Sequence, residues 1–489
     1  MYKHLISQFR QFSVLVIGDL MLDVYLKGAS TRLTPEATVP VVDILNNSTV
    51  PGGAANTAAN LKHLGAAVTF CSICGADEYS EKAQALLSAT GVTCRILRDP
   101  ERSTLVKTRV MSGKQLLIRY DSGSVHQISA EQEQAFIVLL EEQYPLHDAI
   151  VIADYNKGLI TPGVIAALQA LNRRREKFIA VDSRRLEAFR SLSPSLVKPN
   201  YAETVQLLQI ATKYEARARQ LQESGAAMFA ATGAAITAAT LDEEGAVIFA
   251  GNQLAYRSHA HEVPPLNVAG AGDAYISAFT LACLAGADIP AAAEVSAAAA
   301  AVAVSKHTTA CCTCEELTAY LSVNEKYVTD PQQLAYISAI YKSQGKKIVF
   351  TNGCFDILHS GHVNYLNRAR ELGHILMVGI NTDDSIRRLK GSSRPINTLE
   401  DRMEVLGGLG AVHHIIPFGS EAEDTAAPLI SLIKPDVFVK GGDYTRATLP
   451  EAGLVEEQGG EVIILPLLPD RSTTLIVNRI HTTHNLKRV

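Results

Sequence analysis

Short unbroken apolar runs, each closed by a glycine, a proline or a charged turn, recur along the whole chain. Ser13-Val-Leu-Val-Ile-Gly-Asp19, Ala149-Ile-Val-Ile-Ala-Asp154 and Phe178-Ile-Ala-Val-Asp182 read as strands buried on both faces, and helix-like segments separate them. That alternation predicts a doubly wound α/β domain. Val39–Ile44 and the pair 104–111 and 114–120 break it. The pair flanks Ser112-Gly113, which suits a two-residue hairpin turn, so a small extra sheet projecting over a site is expected. The apolar tract from Ala274 to Ser305 is interrupted by Asp288, Pro290 and Glu294 and reads as two buried helices. A polar stretch, Leu321 to Pro331, then links to a second series of strands at 347–350, 375–380, 436–439 and 461–465. The predicted organisation is a first domain over 1–325, a linker and leading helix over 326–344, and a second α/β domain over 345–489.

A length of 489 residues exceeds one ordinary core, which agrees with two domains. The net charge of −5 gives no basic face for nucleic acid or anionic membrane. The N-terminus lacks the apolar core of a signal peptide, so a cytoplasmic protein that works on small molecules is expected. Cys71 and Cys74 form a Cys-x-x-Cys, but on a strand they point to opposite faces and cannot grip one metal. Cys311, Cys312 and Cys314 precede a capping box made by Thr313 and Glu316 and have no further ligand at metal spacing. All eight cysteines are expected to be reduced structural thiols.

The first half carries three chemically suggestive segments. Gly18-Asp19 with Asp23, followed by Gly52-Gly-Ala-Ala-Asn56, sets acids and an amide beside paired glycines, which suits a polyol. Lys198-Pro-Asn-Tyr-Ala-Glu203 is a loop running into a helix start. Gly270-Ala-Gly-Asp273 opens the apolar helix, where free N–H groups can hold a phosphoryl group and a carboxylate can take a hydroxyl proton.

In the second half, Thr351-Asn-Gly-Cys-Phe-Asp-Ile-Leu-His-Ser-Gly-His362 joins a buried strand to a helix predicted from Gly361 to Leu372. His359 and His362 stand one turn apart at its start, where the helix dipole favours an anion. Further along stand the polar and basic stretches Asn381-Thr-Asp-Asp384, Lys390-Gly-Ser-Ser-Arg394, Arg402 and Lys440-Gly-Gly-Asp-Tyr444, and Arg471-Ser-Thr-Thr474 reads as a hydroxyl-rich helix start fit for phosphate. Such a site can neutralise a phosphate monoester as it attacks the α-phosphate of a nucleotide, which needs no general base. It is expected at the carboxyl edge of the sheet, where strand order switches.

The three first-half segments, in this order, resemble the ribokinase-like carbohydrate kinases over roughly residues 10–320. The resemblance implies that Asp273 is the general base and that Gly270, Ala271 and Gly272 form the anion hole. It further implies that Asn200, Tyr201, Ala202 and Glu203 hold Mg-ATP, with Mg²⁺ carried by the nucleotide and contacted through Glu203, not held in a protein cage. Asp19, Asp23, Gly52, Gly53, Asn56, Asp154 and Lys157 would meet the sugar. Asn267 and Ala269 depart from the Asp and Thr usual before the base, and Leu241 and Asp242 depart after Thr240, at positions tied to nucleotide and monovalent-cation contacts.

The His-x-Gly-His motif resembles that of the cytidylyltransferase-like nucleotidyltransferases, over roughly 345–480. That likeness implies roles for His359, His362 and Lys390 in transfer, and for Gly353, Phe355, Gly361, Arg394, Lys440, Ser472, Thr473 and Thr474 in ATP binding. The fused order, with Gly28–Glu36 and Asp154-Tyr-Asn-Lys-Gly158, resembles the bifunctional heptose 7-phosphate kinase/heptose 1-phosphate adenylyltransferases. Asn156 stands where Gly is more usual. By that resemblance, D-glycero-β-D-manno-heptose 7-phosphate is phosphorylated at its anomeric hydroxyl, a separate phosphatase acts, and ATP then gives ADP-heptose for the lipopolysaccharide core. A homodimer is implied as well. The substrate phosphate requires a cation, for which Arg32, Arg109, Arg119 and Lys157 are the candidates. Another sugar phosphate, CTP in the second half, or a kinase half that has lost activity remain open on the residues alone.

Overall fold

The computed structural model describes residues 2–113, 115–260, 269–306, 310–321, 326–442 and 446–466. The chain divides into two compact units, Met1–Leu317 and Thr318–Val489.

The strands of the first unit are β1 (Ser13–Gly18), β2 (Leu20–Leu33), β3 (Pro40–Gly53), β4 (Ala67–Gly75), β5 (Thr93–Asp99), β6 (Leu105–Ser112), β7 (Gln115–Ser122), β8 (Ala149–Asp154), β9 (Phe178–Ser183), β10 (Leu196–Val197), β11 (Ile236–Thr240), β12 (Ala246–Ala250) and β13 (Gln253–Ser258). Nine of them form one sheet in the order β13-β12-β11-β10-β9-β8-β1-β4-β5. It is parallel from β11 to β5, with β12 and β13 added antiparallel. The apolar runs form these strands because helices cover both faces of a parallel sheet. Its register sets Gly18, Ala153 and Asp182 side by side. Asp19, Asp154, Asp182 and Lys198 therefore leave the sheet at one carboxyl edge.

The remaining strands make the expected extra sheet, in the order β3-β2-β6-β7. Ser112 pairs directly with Gln115, so the strand runs one residue further than predicted and Gly113 (φ 57°) takes the turn. β3 extends well beyond the 39–44 run, to Gly53, and delivers the glycine pair to the start of the helix Ala54–His63. The alanine-rich tract forms two helices, Ala271–Leu284 and Ile289–Val304, as its interruptions predict. Thr313 and Glu316 make the predicted capping box, and all eight cysteines are free.

The second unit holds β14 (Ile348–Gly353), β15 (Ile375–Asn381), β16 (His414–Phe418), β17 (Val437–Gly441) and β18 (Glu461–Leu465), all parallel, in the order β16-β15-β14-β17-β18. Apolar clusters cover both faces. One includes Leu334, Ile337 and Tyr341 of the helix Pro331–Ser343, and the other includes Tyr365 and Leu366 of the helix Ser360–Glu371. Strand order reverses between β14 and β17, the switch point outside whose carboxyl ends open α/β sheets bind ligands.

Candidate active sites

In the first unit, Gly270 (φ 89°) caps the helix Ala271–Leu284 and leaves its first turn facing the carboxyl edge. Asp273 lies in that turn and is buried. Its Oδ2 accepts a hydrogen bond from Asn56 Nδ2 at 2.7 Å, and its Oδ1 accepts from Thr57 Oγ1 at 2.8 Å and Tyr155 Oη at 3.0 Å. Burial, then the charge of Asp182, raises its pKa, while the three donors act the other way. Cys311 Sγ lies 3.9 Å from Asn56 Oδ1, and burial pushes that thiol up to about 12, so it stays a neutral donor that orients the amide.

Lys198 is buried beside this helix start and pairs with Asp182 at 3.1 Å. A Cβ on Gly272 would lie 3.0 Å from its Nζ, so the ammonium packs closely on the first turn. The charges of Asp182, Glu203 and Asp273 hold the Lys198 pKa up against burial. Asn200 and Glu203 cap one another: Asn200 Oδ1 accepts from Glu203 N, and Glu203 Oε2 accepts from Asn200 N, both at 2.9 Å. Burial raises the Glu203 pKa. Tyr201 turns instead into an apolar cluster with Leu221 and Met228, and its hydroxyl is bonded to Gln220 and to the Lys213 amide. Ala202 is exposed.

On the sugar side, Asp19 Oδ2 accepts from the backbone N–H of Tyr155 (3.0 Å) and Lys157 (3.2 Å). Burial and the neighbouring Asp154 push its pKa up to about 6. Asn156 (φ 56°) and Gly158 (φ 93°) create the turn that aims those amides, so the asparagine occupies the left-handed position that a glycine would fill. Asp154 is bound by Ser183, by Arg185 and by the Asn156 N–H, and thereby holds the loop in place. Asp23 pairs with Arg109 at 2.7 Å. Gly52 and Gly53 are needed because a Cβ would strike Asp23 or Met21.

Thr57, Tyr155, Asp182 and Lys198 were not among the residues singled out from sequence. Each lay inside or beside a quoted segment, and a carboxylate at a strand's carboxyl end was the available signal for Asp182.

In the second unit, β14 ends at Gly353, Phe355 takes φ 42°, and His359 caps the helix Ser360–Glu371, one residue earlier than predicted at each end. The rings of His359 and His362 stack with centroids 3.9 Å apart, and Phe355 meets His362 edge-on at 5.4 Å. Burial, then the charges of His359 and Lys390, lowers the His362 pKa to about 4. Lys390 is exposed and Gly361 is buried. Arg394 pairs with buried Asp356 at 2.6 Å. Asp356 Oδ1 also accepts from the N–H groups of Ile396 and Asn397, which ties the basic loop to the histidine loop. Lys440 arrives from β17, 3.4 Å from the Asn352 carbonyl oxygen, and burial lowers its pKa. Arg402, one of the stretches that supported the nucleotidyltransferase likeness, is buried, donating to the Cys354 and Asn397 carbonyls and pairing with Asp383. Asn267, Asp443, Tyr444, Ser472, Thr473 and Thr474 lie outside the described residues.

Both candidate sites are thus helix starts beside a parallel sheet, one with a buried, triply hydrogen-bonded carboxylate and one with paired imidazoles. A model of the pfkB family carbohydrate kinases matches residues 11–316, and a cytidylyltransferase-like model matches residues 350–479. The chain is a sugar kinase joined to a nucleotidyltransferase. The bifunctional protein HldE of Geobacter metallireducens is 36% identical over 485 residues, covering 98% of this chain and 97% of the relative. That of Pseudomonas aeruginosa is 38% identical over 476 residues, covering 97% and 98%. The chain belongs to this family of bifunctional HldE proteins. The fold of the first unit is shared with phosphofructokinase-2 from Escherichia coli, at 19% identity and a TM-score of 0.52, over 64% of this chain and 99% of that one.

Proposed function

We propose that the two sites carry out the two transfers of ADP-heptose synthesis. The observation that best supports the kinase half is the convergence of Asn56, Thr57 and Tyr155 on the buried Asp273 carboxylate at the start of a helix. A sugar hydroxyl replacing one of these donors would be held for deprotonation. The anomeric oxygen of heptose 7-phosphate attacks the γ-phosphate of ATP, Asp273 takes its proton, and ADP leaves. The N–H groups of the first turn and the Lys198 ammonium stabilise the charge that develops.

Asp182 and Glu203, two carboxylates beside that turn, offer the hard oxygen chemistry that suits Mg²⁺ brought by ATP. When bound, Mg²⁺ would neutralise phosphate charge. Asn200 and Glu203 would exchange part of their mutual capping for nucleotide contacts.

In the second half, an oxygen of heptose 1-phosphate attacks the α-phosphate of ATP and pyrophosphate leaves. The stacked His359 and His362 donate to the phosphates from the helix start, while Lys390, Arg394 and Lys440 supply positive charge. No observation favours CTP or another sugar over this pair.

We also read the protein as a cytoplasmic homodimer. Among the described residues no helix is long and apolar enough to cross a membrane. The four-stranded sheet exposes Leu33, Ile44, Leu45, Leu116 and Ile118, apolar side chains that a second copy would cover. A monomeric mass by light scattering would remove the dimer.

The deciding experiment incubates the protein with Mg-ATP and D-glycero-D-manno-heptose 7-phosphate beside hexose phosphates and reads products by mass spectrometry. Selective formation of a heptose bisphosphate, and of ADP-heptose from heptose 1-phosphate, is the expected result. Consumption of a different sugar phosphate would overturn the pathway, and no transfer would overturn the kinase reading.

A further inference from the structure

A kinase for a sugar that already carries a phosphate needs a second anion site, away from the transferring phosphoryl group. The sequence offers four cations, and the structure commits three of them. Arg32 is exposed and faces Asp43 at 3.5 Å. Arg109 is fastened to Asp23 at 2.7 Å and lies over the Tyr25 ring at 5.1 Å. Arg119 grips Asp121 with two hydrogen bonds of 2.8 and 2.6 Å.

The fourth, Lys157, lines a cavity of about 60 Å³ together with a residue the sequence did not single out, Lys107 on β6. Met21, Asp121, Ser122 and Gly123 complete most of its wall. Asp121 is the one carboxylate there; its hydrogen bonds go to Arg119, which first among its neighbours, with lesser pulls from Lys107 and Lys157, holds its pKa down. Among the described residues neither lysine ammonium stands within ion-pairing distance of a carboxylate. Lys107 lies over the Tyr155 ring at 5.3 Å, and burial lowers its pKa despite the opposing pull of the Asp23 and Asp121 charges.

Position matters as much as charge. Tyr155 connects this cavity to the base, since its hydroxyl is 3.0 Å from Asp273 Oδ1 while its ring lies beneath Lys107. Lys157 is fixed from both sides: its N–H donates to Asp19, and its carbonyl accepts from buried Arg102 at 3.0 Å. A sugar lying along Tyr155 would set its reacting hydroxyl at Asp273 and a phosphate at its far end between the two lysines.

We propose that the Lys107–Lys157 cavity is the subsite for the substrate's own phosphate and makes the kinase selective for a phosphorylated sugar. This rests on the kinase reading above. The two ammonium groups act as point charges, each forming a charge-assisted hydrogen bond to phosphate oxygen.

The test compares Lys107→Gln, Lys157→Gln and the double variant with the parent, using heptose 7-phosphate and unphosphorylated heptose as substrates. Each single change should raise KM for heptose 7-phosphate by about tenfold or more. The loss should fall on KM more than on kcat and should spare the unphosphorylated sugar, and Lys107→Arg should recover part of it. Adenylyl transfer by the same preparations reports that they are folded. Unchanged KM in the double variant, or equal losses with both sugars, overturns the subsite while the kinase reading stands. A parent enzyme that does not prefer the phosphorylated sugar overturns both.

Discussion

Asp273 and Asn56 stand 217 residues apart in the chain, yet the amide of one donates to the carboxylate of the other at 2.7 Å. The contact joins the start of the helix Ala54–His63 to that of the helix Ala271–Leu284, two helices that pack side by side at the sheet's carboxyl edge. It brings the residues proposed for the sugar within one hydrogen bond of the proposed base, and makes the first unit a single site.

Replacing Asp273 by Asn keeps the shape and removes the base. Sugar phosphorylation should fall about 100-fold to 10,000-fold in kcat, with KM for ATP little changed. The second unit provides the control, because adenylyl transfer should continue at the parent rate. Parental turnover of the sugar by Asp273→Asn would falsify the assignment of the base.

Gly158 tests the loop that carries Tyr155 and Lys157. It has φ 93°, and a Cβ there would lie 2.0 Å from the His126 carbonyl oxygen. Gly158→Ala must move the loop, and with it the two N–H groups on Asp19. Sugar kcat/KM should drop on the order of tenfold to 100-fold, as misplacements of about an ångström do. Steady-state kinetics at saturating ATP checks this, and an unaltered value would show that the loop does not position substrate.

The second unit should carry a pH signature from His362. Its folded pKa of about 4 lies below the ordinary value of 6.5. Between the two, the unfolded chain binds a proton that the folded one refuses. The stability contributed by neutral His362 is therefore complete above about pH 6.5 and is lost as pH falls toward about 4. His362→Asn should flatten the acid-side decline in the unfolding midpoint of this unit. Parallel pH profiles for parent and variant would remove His362 as its source.

The sheet strands were legible because each is an unbroken apolar run that only burial on two faces explains, as at Ala149–Asp154 and Ile375–Asn381. The full length of β2 and β3 was not. Their distal halves are largely exposed and polar, so nothing in their composition marks them, and only cross-strand pairing extends them. β16 was missed because five residues containing His414 and Pro417 carry too little apolar signal. Asp273 and the two histidines were readable because they sit on helix starts with distinctive local spacing. Tyr155 and Lys107 were not, since their partners are set by register and loop conformation across more than one element. The reverse holds for Tyr201, which sits in a recognisable segment but is claimed by the apolar cluster behind it.

Arg402 offers a last prediction, on how the second site is held. Its guanidinium is fully buried, pairs with Asp383 at 2.6 Å, and donates to the carbonyls of Cys354 at 2.7 Å and Asn397 at 3.1 Å. It thereby ties the histidine loop, the basic loop and the helix Asp383–Lys390 to one another. Arg402→Leu fills much of the space but leaves those acceptors without a donor and Asp383 without its partner. Breaking a buried pair from one side costs about 3–5 kcal/mol. The unfolding transition of the second unit should shift by that order, and adenylyl transfer should fall with it because Arg394 and Lys390 lose their placement. The sugar kinase activity should persist in the same preparation. If both activities and both transitions survive Arg402→Leu, the three segments are held by other contacts, and Arg402 is a passive occupant of the core.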